Sequence, residues 1–234
     1  MSSNDQPKER IQHSSGAELD IQDIFYTIQG EGPFSGHRAL FIRLAGCNFQ
    51  CPACDTDYTS TRKRMSVDEI LDEMANREDL CHDDKLVVIT GGEPFRQSIS
   101  MLANTLLKTG YHVQVETNGS VPFPSDLSKN VHIVCSPKSK SIPRANLARI
   151  DSFKYVLDHR NIDPGDMLPL FALEHIDGKG VARPPVAFSG PVYVLPMDTP
   201  DVQDYYKNVQ ACKNACLEYG RILQFQIHKI LEVK

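Results

Sequence analysis

Gly46-Cys47-Asn48-Phe49-Gln50-Cys51-Pro52-Ala53-Cys54-Asp55-Thr56 sets three cysteines at the spacing C-x3-C-x2-C, directly after a strand-like run, Ala39-Leu40-Phe41-Ile42-Arg43-Leu44. Three thiolates this close in sequence can wrap one corner of a small metal centre. Thiolates are the usual ligands of iron–sulfur clusters, which normally take four. With three, one iron of a [4Fe–4S] cluster stays open for a small-molecule ligand. Two other readings stand beside this one: three-quarters of a structural zinc site, and plain buried thiols, since free Cys packs like a small hydrophobe.

The neighbouring segments weigh on that choice. In the run before the cysteines, Leu40, Ile42 and Leu44 alternate with Ala39, Phe41 and Arg43, the period of a strand with two different faces. If the first set packs on helices, Arg43 points into the lumen and needs a carboxylate or phosphate partner. Upstream, Ile21 to Ile28 is strand-like and runs into Gln29-Gly30-Glu31-Gly32-Pro33, where glycines flank a carboxylate. Such a loop is either a turn or a close backbone approach to a ligand. Residues 1–20 are mostly polar and aperiodic and read as a flexible leader, leaving 21–234 as one domain.

Downstream, Ser66-Val67-Asp68-Glu69 reads as a capping box opening an amphipathic helix through Val67, Ile70, Leu71 and Met74. Lys85 to Thr90 is a short apolar run of the kind buried on both faces of a parallel sheet. Further strands are expected at Tyr111–Glu116, Val131–Cys135, Phe153–Leu157, Pro191–Leu195 and Ile222–Ile227. Helices are expected from Ile99 to Leu106 and from Thr199, as cap, to Gly220, the latter with Val202, Tyr205, Tyr206 and Val209 as its apolar face. Strands alternating with helices define an α/β fold with a largely parallel sheet, in which ligands gather at the carboxyl ends of the strands. The punctuated segments fall there: the cysteine loop, Gly91-Gly92-Glu93-Pro94, Glu116-Thr117-Asn118, Ser136-Pro137-Lys138 and Leu195-Pro196-Met197. Five such segments on one rim point to a cofactor enzyme.

Composition narrows the field. The 234 residues carry a net charge of −5, which argues against broad binding to nucleic acid or anionic membrane. No stretch approaches the ~18 apolar residues of a membrane span, and the polar start lacks the apolar core of a signal peptide. Seven cysteines without an export signal fit a reducing cytoplasm with a metal centre better than a disulfide framework. Of the remaining cysteines, Cys135 reads as core, Cys81 as incidental, and Cys212 and Cys216 as packing; His82, His112, His132 and His228 lack the paired spacing of a zinc helix.

Taken together, Ile28-Gln29-Gly30-Glu31-Gly32, Phe41-Ile42-Arg43-Leu44, Gly46-Cys47-Asn48, Cys54-Asp55-Thr56, Thr90-Gly91-Gly92-Glu93-Pro94, Glu116-Thr117-Asn118-Gly119 and Ser136-Pro137-Lys138 resemble the 7-carboxy-7-deazaguanine synthases. These are compact radical S-adenosylmethionine (SAM) lyases of the queuosine and 7-deazapurine pathway. The resemblance spans residues 21 to 234 and implies a partial β/α barrel, a [4Fe–4S] cluster, SAM and Mg²⁺. It implies that 6-carboxy-5,6,7,8-tetrahydropterin becomes 7-carboxy-7-deazaguanine with loss of ammonia. By the same resemblance Cys47, Cys51 and Cys54 hold the cluster and Thr56 holds Mg²⁺. Ala53, Cys54, Asp55, Gly92, Glu93, Glu116, Ser136, Pro137, Lys138, Leu195, Pro196 and Met197 would meet SAM; Ile28, Gln29, Gly30, Arg43 and Thr90 would meet the pterin. A homodimer and a flavodoxin-like reductant are also implied. Leu195 stands where the family suggests Gln, and Lys234 where a terminal Pro often covers the substrate. Two rivals remain at this point: a glycyl-radical activating enzyme, which shares the cysteine spacing, and a zinc-stabilised binding module without catalysis.

Overall fold

The cysteine loop leaves the end of β2 (Arg38–Leu44), third in a nine-stranded sheet of order β3-β1-β2-β4-β5-β6-β7-β8-β9. A computed structural model describes residues 4–76, 85–173 and 180–234; the readings of Cys81 and His82 fall outside them. The strands are β1 (Glu18–Ile28), β3 (Lys63–Ser66), β4 (Leu86–Gly91), β5 (His112–Thr117), β6 (His132–Cys135), β7 (Ser152–Leu157), β8 (Val192–Pro196) and β9 (Ile222–Leu223). From β2 through β9 each neighbour in the sheet is parallel, whereas β1 runs antiparallel to both β2 and β3. β3 and β9 are the two edges and do not meet, so the architecture is an unclosed barrel.

Side-chain alternation sorts the sheet into two faces. Ile42 and Leu44 of β2, Val87 and Ile89 of β4, and Val113 and Val115 of β5 join the main core with Ile70 of α1 (Val67–Ala75) and Leu102 and Leu106 of α2 (Ser100–Lys108). Each such side chain, fully buried, contributes about 1.5–3 kcal/mol. The opposite, concave face carries Phe41 and Arg43 of β2, Thr90 of β4, Glu116 of β5, and Lys154 and Val156 of β7, all lining one cavity. Ser66 caps α1 as expected: its hydroxyl accepts from Glu69 N, and the Glu69 carboxylate accepts from Ser66 N.

Three segments differ from the sequence reading. The last strand is only Ile222–Leu223 and gives way to α5 (Ile227–Ile230), because the chain turns across the cavity mouth, where Ile227 N donates to Gly30 O. α4 (Val202–Tyr219) is capped by Asp201, whose carboxylate accepts from Asp204 N. It buries Asn208, Ala211, Cys212 and Ala215 and leaves Val202 and Tyr206 exposed. Small side chains and Asn208, which donates to Met197 O and accepts from His159 N, seat this face close to β8. Residues 4–12, read as leader, lie along the cysteine loop: Glu9 N donates to Cys47 O at 2.7 Å and Asn4 N to Pro52 O at 3.1 Å.

Candidate active site

The carboxyl ends of the parallel strands frame a cavity of about 430 Å³. Of the residues expected there, Ile28, Gln29, Gly30, Arg43, Cys47, Cys51, Ala53, Cys54, Asp55, Thr56, Thr90, Gly92, Glu116, Ser136, Lys138 and Met197 line it. Glu93, Pro137, Leu195 and Pro196 are buried behind the wall and do not. Period-2 alternation explains Leu195, fully buried in the core of β8, while Met197 beyond the strand turns inward.

Cys47, Cys51 and Cys54 share one wall. Burial raises all three thiols, Cys47 to about 12, and neighbouring thiols push the same way at Cys47 and Cys51, as Asp55 does at Cys54. Lys138 opposes this at Cys51 and Cys54. Such thiols stay protonated until a cationic centre displaces their protons. Among the described residues no group of three or more His, Cys, Asp or Glu converges on a single-ion point. Three thiols on one wall of the cavity fit the three protein ligands of a [4Fe–4S] cluster with one iron left open.

The Gly91-Gly92-Glu93-Pro94 turn fits against that loop by lacking side chains. A Cβ on Gly92 would fall 2.6 Å from Gly46 C and 2.7 Å from Cys47 Cβ, far inside contact distance. Glu93 has a different task from the one expected. Its carboxylate, fully buried, accepts from Thr117 Oγ1 at 2.7 Å, Asn118 N at 2.8 Å and Phe95 N at 3.0 Å. It fixes the turn after β4 to the end of β5.

Across the cavity, Arg43 lies over the Phe25 ring, 5.0 Å from its centroid, and its buried Nε has no hydrogen-bond partner among the described residues. The residue lines the cavity with no carboxylate ion-paired to it among the described residues. Beside it, Lys154 lies between two carboxylates. Its ammonium donates to Glu116 Oε2 at 3.0 Å and, in a short contact, to Glu31 Oε2. Glu116 Oε1 also accepts from Gln29 and Gln114, and Glu31 Oε1 accepts from Gln226 at 2.5 Å. Burial alone would raise the Glu31 carboxyl, but Lys154 and the Gln226 bond outweigh it and hold it near 2. Lys154 is raised in turn by the two carboxylates, against its own burial. This network joins the Gln29-Gly30-Glu31 loop to β5.

Lys154, Glu31, Gln226 and Lys229 line the cavity too and were not among the residues expected there; His228 reaches it from near the C-terminus. A signal existed for Lys154, a lysine inside the apolar run Phe153–Leu157. Little pointed to α5, whose Lys229 bridges Asp55 at 2.9 Å and Asp198 at 3.5 Å. Those pairings are long-range and leave no periodicity.

An unclosed parallel barrel with three cysteines on its rim defines the radical SAM class, and the family model described as "Radical SAM superfamily" matches residues 41–132. The chain is 40% identical over 224 residues to a 7-carboxy-7-deazaguanine synthase of Rhodospirillum rubrum, covering 93% of this chain and 94% of that one. It is 36% identical over 236 residues to the Rickettsia prowazekii protein of the same name, covering 97% and 94%. The crystal structure of QueE from Escherichia coli superposes with a TM-score of 0.68 at 22% identity, over 89% of this chain and 93% of that one. The chain belongs to the 7-carboxy-7-deazaguanine synthase family, radical SAM lyases of the 7-deazapurine route to queuosine. Membership excludes the zinc module and the glycyl-radical activating enzyme as readings. No helix among the described residues is long and apolar enough to cross a membrane.

Proposed function

We propose that this chain converts 6-carboxy-5,6,7,8-tetrahydropterin to 7-carboxy-7-deazaguanine with release of ammonia, and that its cavity divides into a SAM half and a pterin half. The observation that carries the substrate is Arg43, a guanidinium that lines the cavity shared with the three cysteines and has no carboxylate ion-paired to it among the described residues. A carboxylate on the pterin is the partner it lacks, worth about 1.5–3 kcal/mol as a charged hydrogen bond.

Cys47, Cys51 and Cys54 would hold the cluster. When bound, the cluster and SAM would supply the radical chemistry, the hard part of the reaction. The protein's share is placement. Backbone of Gly92 offers unobstructed acceptors to the SAM amino group, and Ser136 and Lys138 wall the nucleoside side, with Lys138 Nζ held at 2.6 Å from Ser136 Oγ. Glu116 keeps one lone-pair direction for a ribose hydroxyl after its three protein donors are counted. Ile28, Gln29, Gly30 and Thr90 face the pterin edge. Thr56, a hard oxygen donor on the cysteine loop, is the proposed Mg²⁺ ligand beside substrate oxygens. A flavodoxin-like donor would reduce the cluster, and two copies would associate.

Anaerobically reconstituted protein, given SAM, Mg²⁺, reductant and the carboxy-tetrahydropterin, should form the deazaguanine without net loss of SAM. Cleavage of SAM with the pterin untouched would overturn the substrate.

A further inference from the structure

Arg96 is a charged side chain that the proposed chemistry does not use. It follows Gly91-Gly92-Glu93 in a 3-10 turn, Pro94–Arg96, and is only 1% exposed. Its guanidinium lies directly under Gly46, the residue before the first cysteine. A Cβ on Gly46, whose φ is +81°, would fall 2.6 Å from both Arg96 Cζ and Nε. Nη2 donates to Ala45 O at 2.8 Å, and Nη1 donates to Arg10 O at 3.1 Å and faces Glu9 Oε2 at 3.3 Å. The Arg96 carbonyl accepts from Gln12 N at 2.7 Å. A buried guanidinium costs free energy unless its donors are matched. Here residues 9 and 10 supply two of the partners, Glu9 and the Arg10 carbonyl, beside Ala45 O and, at 4.0 Å, Asp20, while Nε has none among the described residues.

The same segment bonds the cysteine loop along its length. Glu9 N donates to Cys47 O and Asn4 Nδ2 to Cys51 O at 3.2 Å. Gln6 Nε2 donates to Thr56 O at 2.9 Å, and Gln6 Oε1 accepts from Tyr58 N at 2.7 Å. Each contact fixes a carbonyl or amide of the loop and none uses a sulfur, so the thiols stay free for iron.

We propose that residues 4–12 form a clasp on the cluster-binding loop, keyed by Arg96 as a positioning residue, and that closing the clasp and holding the cluster are energetically linked. The proposal rests on Cys47, Cys51 and Cys54 being the cluster ligands. Linkage is reciprocal: the factor by which the clasp tightens the cluster is the factor by which the cluster tightens the clasp.

Trypsin reads the clasp at Lys8 and Arg10, both with exposed side chains on a docked backbone. Reduced iron-free protein and reconstituted protein are digested anaerobically and cleavage after Arg10 is followed by mass spectrometry. Iron release to a ferrous chelator is timed in parallel on wild type, Asn4→Ala/Gln6→Ala, Arg96→Lys and Arg96→Met. Loading should slow cleavage by about 10-fold, and the double variant should release iron faster by a similar factor, within the usual range of coupling between sites. Arg96→Lys should fall between wild type and Arg96→Met. If Arg96→Met does not fold, the double variant alone decides, since it leaves the buried guanidinium in place. Equal cleavage with and without the cluster, or wild-type iron release from the double variant, overturns the clasp while leaving the ligand assignment intact. Protein that takes up no iron overturns the ligand assignment and the clasp with it.

Discussion

Replacing Lys154 with methionine removes the ammonium that Glu31 and Glu116 share while keeping most of its volume in β7. The side chain is 7% exposed, against 12% for Glu31 and 19% for Glu116, so the pair is largely shielded from bulk water. Glu31 sits near 2 instead of an ordinary carboxyl's 4.5, a difference of about 3 kcal/mol at neutral pH at 1.36 kcal/mol per unit. Losing one partner of a buried pair costs about 3–5 kcal/mol by an independent route, so the two agree. The sign with pH follows from the direction. A depressed carboxyl stabilises the fold fully above its unfolded value and loses that contribution as pH falls from there through about 2. In Lys154→Met the burial of Glu31 prevails, its carboxyl rises, and acidification from pH 7 relieves the strain. Urea unfolding of iron-free protein at pH 7 and pH 5 should show a deficit of about 3–5 kcal/mol at pH 7 that shrinks at pH 5. A deficit below about 1 kcal/mol, or one that does not change with pH, would refute the reasoning.

Arg43→Ala should raise the KM for the pterin by about 10–150-fold, the equivalent of one charged hydrogen bond, with iron content unchanged; steady-state kinetics beside an iron assay checks both. Gly92→Ala should abolish product formation and SAM binding together, since the added methyl overlaps Gly46 and Cys47; equilibrium dialysis with labelled SAM measures it. Asn208→Ala should cost about 1–3 kcal/mol by orphaning Met197 O and His159 N, seen as a lower thermal midpoint. Thr56→Ala should leave cluster content alone and raise the Mg²⁺ concentration needed for half-maximal rate.

Local pattern carried the sequence reading a long way. Alternation in Leu40–Leu44 put Arg43 on the concave face, and the apolar run before Gly91-Gly92 gave a central parallel strand, because both are properties of one strand. What escaped were contacts between distant residues. The antiparallel pairing of β1 depends on β2 closing back on it, and Glu93 changed role because Thr117 and Asn118 arrive from the next strand. On α4, apolar residues lie on two faces, and packing chose the one with Ala211, Cys212 and Ala215, which approaches β8 more closely than a face bearing Tyr206 could.

The partners of the clasp are far apart along the chain: Arg10 O meets Arg96 across 86 positions. Synthesis runs from the N-terminus, so residues 4–12 emerge before every group they will grip. Cys47, Cys51 and Cys54 follow while the keying guanidinium is still tens of residues away. For that interval the thiol loop is complete while β2 has yet to gain β4 beside it. Chain order thus completes the three thiols some forty residues before the guanidinium that keys residues 4–12 has been made.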